Sequence, residues 1–430
     1  MLADVTVNAP TGFWVAIINF FRSFITDYGW CVIVFTVSLR LVLLPLDFFQ
    51  KKVSYDNKKK TEAMEPYMEK LRKQYGNDRM AMSQKQRELQ KKFKVNMLGP
   101  CLPALISMVI FITLFGGFRK IADFEIYTAY NETKNAYVSS YTLDTEDKFN
   151  ELDKYYEDAL EKNEITQNRT LDFTEFSAYL AANKDSNMFS IDNVNLVETL
   201  KEENDPTNTL YENNNNIYDA LLKSMAQDSA VTQYGKQAEG MDFLWIKNMW
   251  RPDVVWGMNG CGFSVINPVV PTVTLYKNSL TSDYMKEYKA DTSVDAQYGL
   301  VMQKVISTYN NNDRGKPVYN GYYILAVIII GLSFLSTKFN AAGSVAAAPQ
   351  EAMGGAGGQS AMPSMKMMKF LMPAMMAIFA ISSNSAFALY MVASSATALL
   401  STFLCTFAIK KYDKYKTAKA EGNKFSRYGK

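Results

Sequence analysis

The amino-acid sequence predicts an all-α polytopic membrane protein, and two observations lead to that fold class. The mean hydropathy of -0.14 over 430 residues resembles that of a soluble protein, but the apolar residues are concentrated in five blocks. Lysine and arginine are abundant in two of the segments outside these blocks, and acidic residues dominate a third. Such a separation of charge is typical of proteins whose loops lie on opposite sides of a bilayer.

Five transmembrane helices are predicted from the apolar blocks. A stretch of roughly 17–25 mostly apolar residues is long enough to cross a bilayer as a helix. The predicted helices comprise residues 29–48, 96–119, 319–339, 367–384 and 385–409. The apolar part of the fourth is short, so we expect that helix to extend through Ser382 and Ser383 or to tilt little.

The distribution of charge predicts the orientation of the chain. The stretch from Lys51 to Lys94 contains 14 basic and 6 acidic residues, and the tail from Lys410 to Lys430 contains 8 and 2. Residues 120–318 contain 31 acidic and 18 basic residues. Because positively charged loops stay on the inner side, we expect the first two segments to be cytoplasmic and the third to lie outside. Five spans with the N-terminus outside satisfy all three assignments.

The segments at both ends and the linker are predicted from their composition. Residues 1–28 place apolar and polar residues at helical spacing, which favours an extracellular interfacial amphipathic helix. A soluble amphipathic helix packed on the outer domain is the alternative. Residues 340–366 are rich in Ala, Gly and Pro and are predicted to be a flexible cytoplasmic linker. Residues 410–430 are predicted to be a basic cytoplasmic tail.

Residues 49–95 are predicted to form a cytoplasmic helical hairpin. Met64, Met68 and Leu71 form an apolar seam at helical spacing, and the turn at residues 76–78 interrupts it. The hairpin carries the basic residues of a predicted cytoplasmic docking surface: Lys58, Lys59, Lys60, Arg72, Lys73, Arg87, Lys91 and Lys92. This surface would dock a ribosome, a nascent chain or a targeting receptor beside anionic lipid headgroups. The alternative is a positively charged loop that only fixes the topology.

Residues 120–318 are predicted to form a mostly helical extracytoplasmic inserted domain, because unstructured segments of such length are uncommon in compact proteins. Helix-like stretches occur from Phe149 to Lys162 and from Leu196 to Met225. The aromatic residues between Asp242 and Trp256 are expected at the outer membrane interface, where tryptophan and tyrosine rings accumulate.

Arg40 is the main candidate site residue, because it lies within an otherwise apolar run from Gly29 to Leu46. A guanidinium at the centre of a bilayer costs about 2.5–3.5 kcal/mol on insertion scales. The functional interpretation is that Arg40 lines a wet cavity together with Thr36, one helical turn earlier, and with Ser107 and Ser394 of other spans. The structural alternative is an arginine that is paired with a buried carboxylate.

The composition argues against several chemistries. The chain has no histidine and 4 cysteines, so common zinc sites and Ser-His-Asp triads are not expected. The sequence contains no phosphate-binding loop and no dinucleotide fingerprint. We therefore expect no enzymatic activity, no metal or other cofactor, and no DNA partner.

Several motifs together resemble the YidC-type membrane protein insertases. They are Thr36-Val-Ser-Leu-Arg40-Leu-Val-Leu-Leu-Pro45-Leu46, the charged hairpin, Asn96-Met-Leu-Gly99-Pro-Cys101-Leu102-Pro103, Phe243-Leu-Trp245-Ile246 with Pro252-Asp253, Leu371-Met-Pro373, and Leu389-Tyr390. The resemblance covers about half of the chain. It implies a five-helix core around a hydrophilic groove that opens to the cytoplasm and to lipid, with Arg40 as its polar centre.

The resemblance implies a membrane protein insertase and foldase in the cell membrane. Its partners would be nascent membrane proteins, the lipid bilayer and, in addition, a ribosome, a targeting receptor or the secretion channel. A partly hydrated groove would shorten the low-dielectric path of a polar segment, and apolar segments would then move sideways into lipid. One alternative is a solute or anion transporter whose pathway passes Arg40. Another is a receptor that senses an external ligand through residues 120–318.

Overall fold

The described part of the chain is predominantly helical. A computed structural model describes residues 9–75, 78–95, 101–162, 171–189, 214–252, 256–259, 262–265, 268–279, 293–321, 323–341, 376, 378–381 and 383–428. The predicted helical fold class is confirmed for these residues, with one short antiparallel hairpin in addition.

The helices and strands are numbered here in chain order. The helices are α1 (Phe13–Arg22), α2 (Tyr28–Tyr75), α3 (Arg79–Lys92), α4 (Cys101–Tyr141), α5 (Glu146–Glu161), α6 (Phe173–Asn187), α7 (Asn214–Ala238), α8 (Val273–Ser279), α9 (Ser293–Tyr309), α10 (Ile324–Ala341) and α11 (Ser385–Tyr428). The strands are β1 (Trp256–Asn259) and β2 (Gly262–Val265), and Trp256 pairs with Val265.

The chain divides into two compact units. The insert unit comprises Met1–Val15 and Arg119–Tyr322, and the core unit comprises Ala16–Phe118 and Tyr323–Lys430. The core unit thus contains the hairpin and nearly all of the predicted spans, and the insert unit contains all of the predicted outer domain.

Helix α2 is far longer than a membrane span. Its 48 residues extend roughly 70 Å at 1.5 Å per residue, whereas a span needs about 20 residues. The helix continues through Pro45 and Pro66, although each proline lacks the N–H that would bond to the preceding turn. The first predicted span and the first arm of the predicted hairpin are therefore one continuous helix.

Helix α3 forms the second arm of the hairpin. The Asp78 carboxylate accepts hydrogen bonds from the backbone N–H groups of Met80 and Ala81 at 3.0 Å and caps the first turn. Met64 and Met68 of α2 are buried, in agreement with the apolar seam expected from their spacing. The Tyr67 and Phe93 rings contact each other at a centroid distance of 5.5 Å. This contact joins α2 to the end of α3 that is remote from the turn.

Helix α11 is also continuous, and it joins the fifth predicted span to the basic tail. It begins after Asn384, whose side-chain oxygen accepts from the Phe387 N–H at 2.9 Å as an N-cap. The Asn384 amide also donates to the carbonyl of Phe118 at 3.3 Å. Within the core unit, α11 packs most extensively on α2 and next on α10.

Aromatic rings hold one end of the core unit together. Phe118 of α4 contacts Phe35 of α2 at a centroid distance of 6.4 Å, and it contacts Phe387 and Tyr390 of α11 at 5.7 and 5.8 Å. Such pairs contribute about 0.5–1.5 kcal/mol each beyond the area that they bury. This cluster fixes α2, α4 and α11 beside one another next to the candidate site.

Two described helices have the length and composition of membrane spans. They are Tyr28–Tyr75 and Ser385–Lys416, and only 17% and 22% of their most apolar windows are buried. A core helix of a soluble protein would bury most of such a window. Ile324–Ser336 is a shorter apolar helix at the third predicted span. At the fourth, residues 376 and 378–381 are helical, residues 383 and 384 are described but are not helical, and the rest lies outside the described residues.

Helix α1 has both buried and exposed apolar side chains. Val15 and Ile18 are buried, while Phe13, Phe20 and Phe24, in and just after the helix, are largely exposed. The Cys31 thiol of α2 contacts the Ile18 carbonyl at 3.8 Å and joins the end of α1 to α2. The predicted location of residues 1–28 at a membrane interface remains a prediction.

The insert unit has a core of helices and tyrosine rings. Tyr130, Tyr276 and Tyr298 are fully buried and contact one another at centroid distances of 4.6–5.2 Å. A buried ion pair joins Lys223 and Asp219 of α7 at 3.0 Å, and Tyr141 of α4 donates its hydroxyl to the same aspartate. Burial, and next the charge of Asp219, raise the pKa of Tyr141 far above its usual range.

The aromatic segment after Asp242 differs from expectation. Phe243 and Trp250 are buried in the insert unit instead of lying at an exposed membrane interface. A tight turn pairs Phe243 with Ile246 through two backbone hydrogen bonds, with Leu244 at φ 55 on the outside. This turn directs both of the paired side chains inward. The side chain of Trp256 lies outside the described residues.

Candidate functional site

The candidate site is a polar seam between α2 and α11, inside an apolar surface. Arg40 is partly buried, while its neighbours Leu41 and Val42 are 63% and 75% exposed. The Arg40 guanidinium donates from Nε and Nη2 to the Ser394 hydroxyl of α11, at 3.1 and 2.6 Å. The polar groups therefore lie between the helices and the apolar groups lie outside, the reverse of a soluble protein.

Among the residues that the structure describes, a single hydroxyl accepts hydrogen bonds from Arg40. A guanidinium has five N–H donors, and two of its nitrogens use a single serine oxygen here. Within the described residues, no carboxylate lies at ion-pair distance from Arg40. An unsatisfied donor in hydrocarbon costs several kcal/mol, so any N–H group of Arg40 that no protein group accepts would need water or a bound ligand in a membrane.

A hydrogen bond joins two of the four predicted groove residues, and the described hydrogen bonds do not join the other two to them. Ser394 is buried and contacts Arg40 directly. Thr36 is one turn away on α2, but its hydroxyl is fully buried and donates to the Val32 carbonyl at 2.6 Å. Ser107 is exposed on α4, and no described hydrogen bond joins it to Arg40. The groove assignment of Thr36 and Ser107 remains a prediction.

A second polar contact of the seam was not expected from the sequence. Ser401 of α11 donates its hydroxyl to the Asp47 carboxylate of α2 at 3.2 Å. Asp47 follows Arg40 by seven residues and Ser401 follows Ser394 by seven, which is about two helical turns on the same face. The two helices are therefore parallel and in register along the seam. The seven-residue spacing was visible in the sequence, but the pairing of the helices was not.

The seam continues beyond the apolar stretches. Lys59 forms an ion pair with Asp413, and Tyr55 donates to the same carboxylate at 3.2 Å. The hydrogen bond with Asp413 raises the pKa of Lys59, and the hydrogen bond with Lys59 lowers the pKa of Asp413. These contacts attach the predicted basic tail to the predicted hairpin.

Three of the eight predicted docking residues have partners within the chain. Lys58 lies 3.9 Å from Glu62, Lys59 pairs with Asp413, and Lys60 donates to the Lys94 carbonyl at 2.7 Å. The other five are exposed: Arg72, Lys73, Arg87, Lys91 and Lys92. An open cleft of about 300 Å³ lies between α2 and α3, with Leu71 and Leu89 in its wall, and Lys92 is the member of this exposed set that lines it.

Comparison with known proteins finds a similarity for part of the chain. The sequence model of the family described as "60Kd inner membrane protein" matches residues 20–166, which include α2, α3, α4 and Arg40. The matched range ends before α11, so Ser394 and Ser401 lie outside it.

The matched relatives are named as YidC insertases. "Membrane protein insertase YidC" from Aromatoleum aromaticum is 34% identical over 111 residues, 26% of this chain and 19% of that protein. The proteins of that name from Pseudomonas paraeruginosa and Haemophilus influenzae are 38% and 36% identical over 24% and 28% of this chain. The match spans 17% and 22% of their lengths, so this chain covers about a fifth of these relatives. No solved structure matches the chain.

Proposed function

We propose that this protein is a membrane protein insertase and foldase of the cell membrane. The observation that carries the proposal is Arg40, a partly buried cation that is hydrogen-bonded to a neutral serine between two apolar helices. The family match over residues 20–166 and the names of the relatives support it.

The proposed topology has five transmembrane helices. The N-terminus and the insert unit lie outside, and the α2–α3 hairpin, the linker at residues 340–366 and the end of α11 lie in the cytoplasm. The excess of lysine and arginine in the hairpin and in the tail supports this orientation. Helices α2 and α11 leave the membrane on the same side because they run parallel, which agrees with a cytoplasmic location for both extensions.

The proposed mechanism rests on a hydrated groove around Arg40. A polar segment of a nascent chain cannot cross hydrocarbon without losing its hydrogen bonds to water, which costs several kcal/mol for each unsatisfied group. Water around the guanidinium would shorten the low-dielectric path. The apolar part of the substrate then moves into lipid because its own surface is buried there. No covalent bond is made or broken, so the protein is not an enzyme and needs no cofactor.

The charge of Arg40 gives the groove a preference among polar segments. A fixed cation attracts acidic residues, and the attraction is stronger in a partly buried site than in bulk water because the effective dielectric constant is lower. Thr36 and Ser107 are the further groove residues that we propose, together with Ser394. The α2–α3 hairpin would receive the nascent chain from a ribosome, a targeting receptor or the secretion channel.

The test is insertion of a single-span substrate with an acidic polar tail into proteoliposomes that contain the purified full chain. Arg40→Ala is expected to lower the rate of tail protection from external protease about tenfold, which corresponds to about 1.4 kcal/mol. Arg40→Lys retains the charge and is expected to keep part of the activity. Arg314→Ala removes an exposed arginine of the insert unit and serves as the matched control.

The comparison of these variants decides the proposal. An Arg40→Ala protein that is reconstituted at the same amount and inserts the substrate as fast as the control contradicts the groove mechanism. Proteoliposomes that insert no substrate with the unmodified chain contradict the insertase function itself.

A further inference from the structure

The second contact of the seam places an acidic group between Arg40 and the proposed cytoplasmic side. Asp47 lies seven residues after Arg40 on the same face of α2, about 10 Å further along the helix axis. Its side chain is partly buried and accepts the Ser401 hydroxyl at 3.2 Å. A polar segment that enters from the cytoplasm therefore passes a carboxylate before it reaches the guanidinium.

The surroundings of Asp47 leave its charge available to a passing segment. Within the described residues, no lysine or arginine lies at ion-pair distance from the Asp47 carboxylate, and its hydrogen bond is to a neutral hydroxyl. Lys51, one turn further along, is the nearest basic residue of the same helix face, and its charge interacts with Asp47. The neighbouring Phe48 and Phe49 are exposed, so the outer side of the helix is apolar at this level.

We propose that Asp47 is a specificity-determining residue that selects substrates by the charge of their polar segment. This inference rests on the proposed insertase function. Asp47 repels acidic residues and attracts basic residues at the cytoplasmic end of the seam, while Arg40 does the opposite deeper in it. The seam therefore opposes rapid entry of strongly acidic segments, although its centre favours them.

The test compares substrates that differ only in the charge of the translocated tail. Single-span substrates with acidic, neutral and basic tails are inserted into proteoliposomes containing the full chain, and each rate is divided by that of the neutral tail. Asp47→Asn is expected to raise the acidic-to-neutral ratio about fivefold, as for the loss of one charge contact of about 1 kcal/mol, and to lower the basic-to-neutral ratio.

Three further variants separate charge from packing. Asp47→Glu keeps the charge and is expected to keep both ratios within about twofold of the unmodified chain. Ser401→Ala removes the hydrogen bond but retains the carboxylate, so the ratios are also expected to stay within about twofold. Asp56→Asn removes an exposed carboxylate of the same helix and is the matched control.

The outcomes distinguish this inference from the proposed function. Insertion by the unmodified chain, with the same ratios in Asp47→Asn as in the control, overturns the role of Asp47 and leaves the insertase function standing. A change in Asp47→Glu as large as that in Asp47→Asn also overturns it, since the shape of the side chain would then be responsible. Absence of insertion for all three tails contradicts the proposed function instead.

Discussion

A charged side chain is fully buried in the insert unit and another is partly buried in the core unit, but the two have different partners. In the insert unit, Lys223 and Asp219 are 1% and 0% exposed and pair with each other at 3.0 Å. In the core unit, Arg40 is only partly buried, and its described partner is the neutral hydroxyl of Ser394. A buried charge with a partner can be a structural element, whereas a charge left without a counter-ion requires another explanation.

The two units also differ in where their large apolar and aromatic side chains lie. Leu400, Phe403, Leu404 and Phe407 of α11 are more than half exposed, so the core unit presents large apolar side chains outward. The largest fully buried side chains of the insert unit are mainly tyrosines, including Tyr130, Tyr276 and Tyr298. The core unit has the pattern expected in lipid, and the insert unit has the pattern expected in water.

The largest effect is expected from breaking the buried pair of the insert unit. Asp219→Ala leaves Lys223 buried without its counter-ion and removes the acceptor of the Tyr141 hydroxyl. We expect it to lower the free energy of unfolding by about 3–5 kcal/mol. Hydrogen exchange of the α7 amides in the full chain measures this change, because local opening of the unit becomes more frequent.

A second aspartate on the same helix provides the control. Asp228 pairs with Lys304 at 2.6 Å, but both side chains are more than a third exposed. Asp228→Ala is therefore expected to change the stability by no more than about 1 kcal/mol. Equal effects of the two substitutions would contradict the distinction between buried and exposed pairs.

A smaller effect on stability is expected at Arg40. Arg40→Met replaces the guanidinium with an apolar side chain, and among the described residues it leaves Ser394 without this donor. We expect the unfolding temperature in detergent to stay constant or rise, with a change in stability within about 1 kcal/mol. Insertion of an acidic-tailed substrate should nevertheless fall as it does in Arg40→Ala.

Measuring both unfolding and insertion of Arg40→Met tests whether Arg40 differs from the buried charges of the insert unit. A loss of stability as large as that of Asp219→Ala would mean that Arg40 is a structural residue like Lys223. Arg314→Met, at an exposed position, shows what the replacement alone does to unfolding and to insertion.

Local patterns in the sequence were sufficient to single out residues of helix α2. Arg40 was identified because it interrupts an apolar run, and Met64 and Met68 were placed in a seam by their spacing. Both signals come from residues that are neighbours on one helix. Hydropathy and helical periodicity report such relations well.

Contacts between distant parts of the chain were not predictable in this way. Ser401 is paired with Asp47 only because α2 and α11 run parallel in register, and the sequence does not state which helices pack together. The aromatic residues Phe243 and Trp250 were expected at a membrane interface because their composition suits it, but a tight turn buries them. Composition indicates a preferred environment, and the tertiary fold decides which environment is available.

The smallest effect is expected where the seam is most exposed, at Lys59 and Asp413. Because the pKa of Asp413 is lowered, its pairing with Lys59 stabilises the contact fully at pH values above the usual pKa of 3.8. This stabilisation is lost as the pH falls through the lowered pKa. Because the pKa of Lys59 is raised, its pairing with Asp413 is fully present at pH values below the usual pKa of 10.5. The pairing is lost as the pH rises through the raised pKa. Between these limits, we expect the tail to remain attached to the hairpin.

Protease sensitivity of the end of α11 in the full chain tests this expectation. Cleavage near Asp413 should be constant between about pH 5 and pH 9 when corrected for protease activity, and Asp413→Asn should raise it slightly at neutral pH. Asp56→Asn, an exposed carboxylate of α2 outside the contact, should leave it unchanged. A large increase in cleavage for Asp413→Asn would contradict the view that an exposed charge pair contributes less than the buried pair of Lys223 and Asp219. The difference between the two pairs would then depend on helix packing and not on burial of charge.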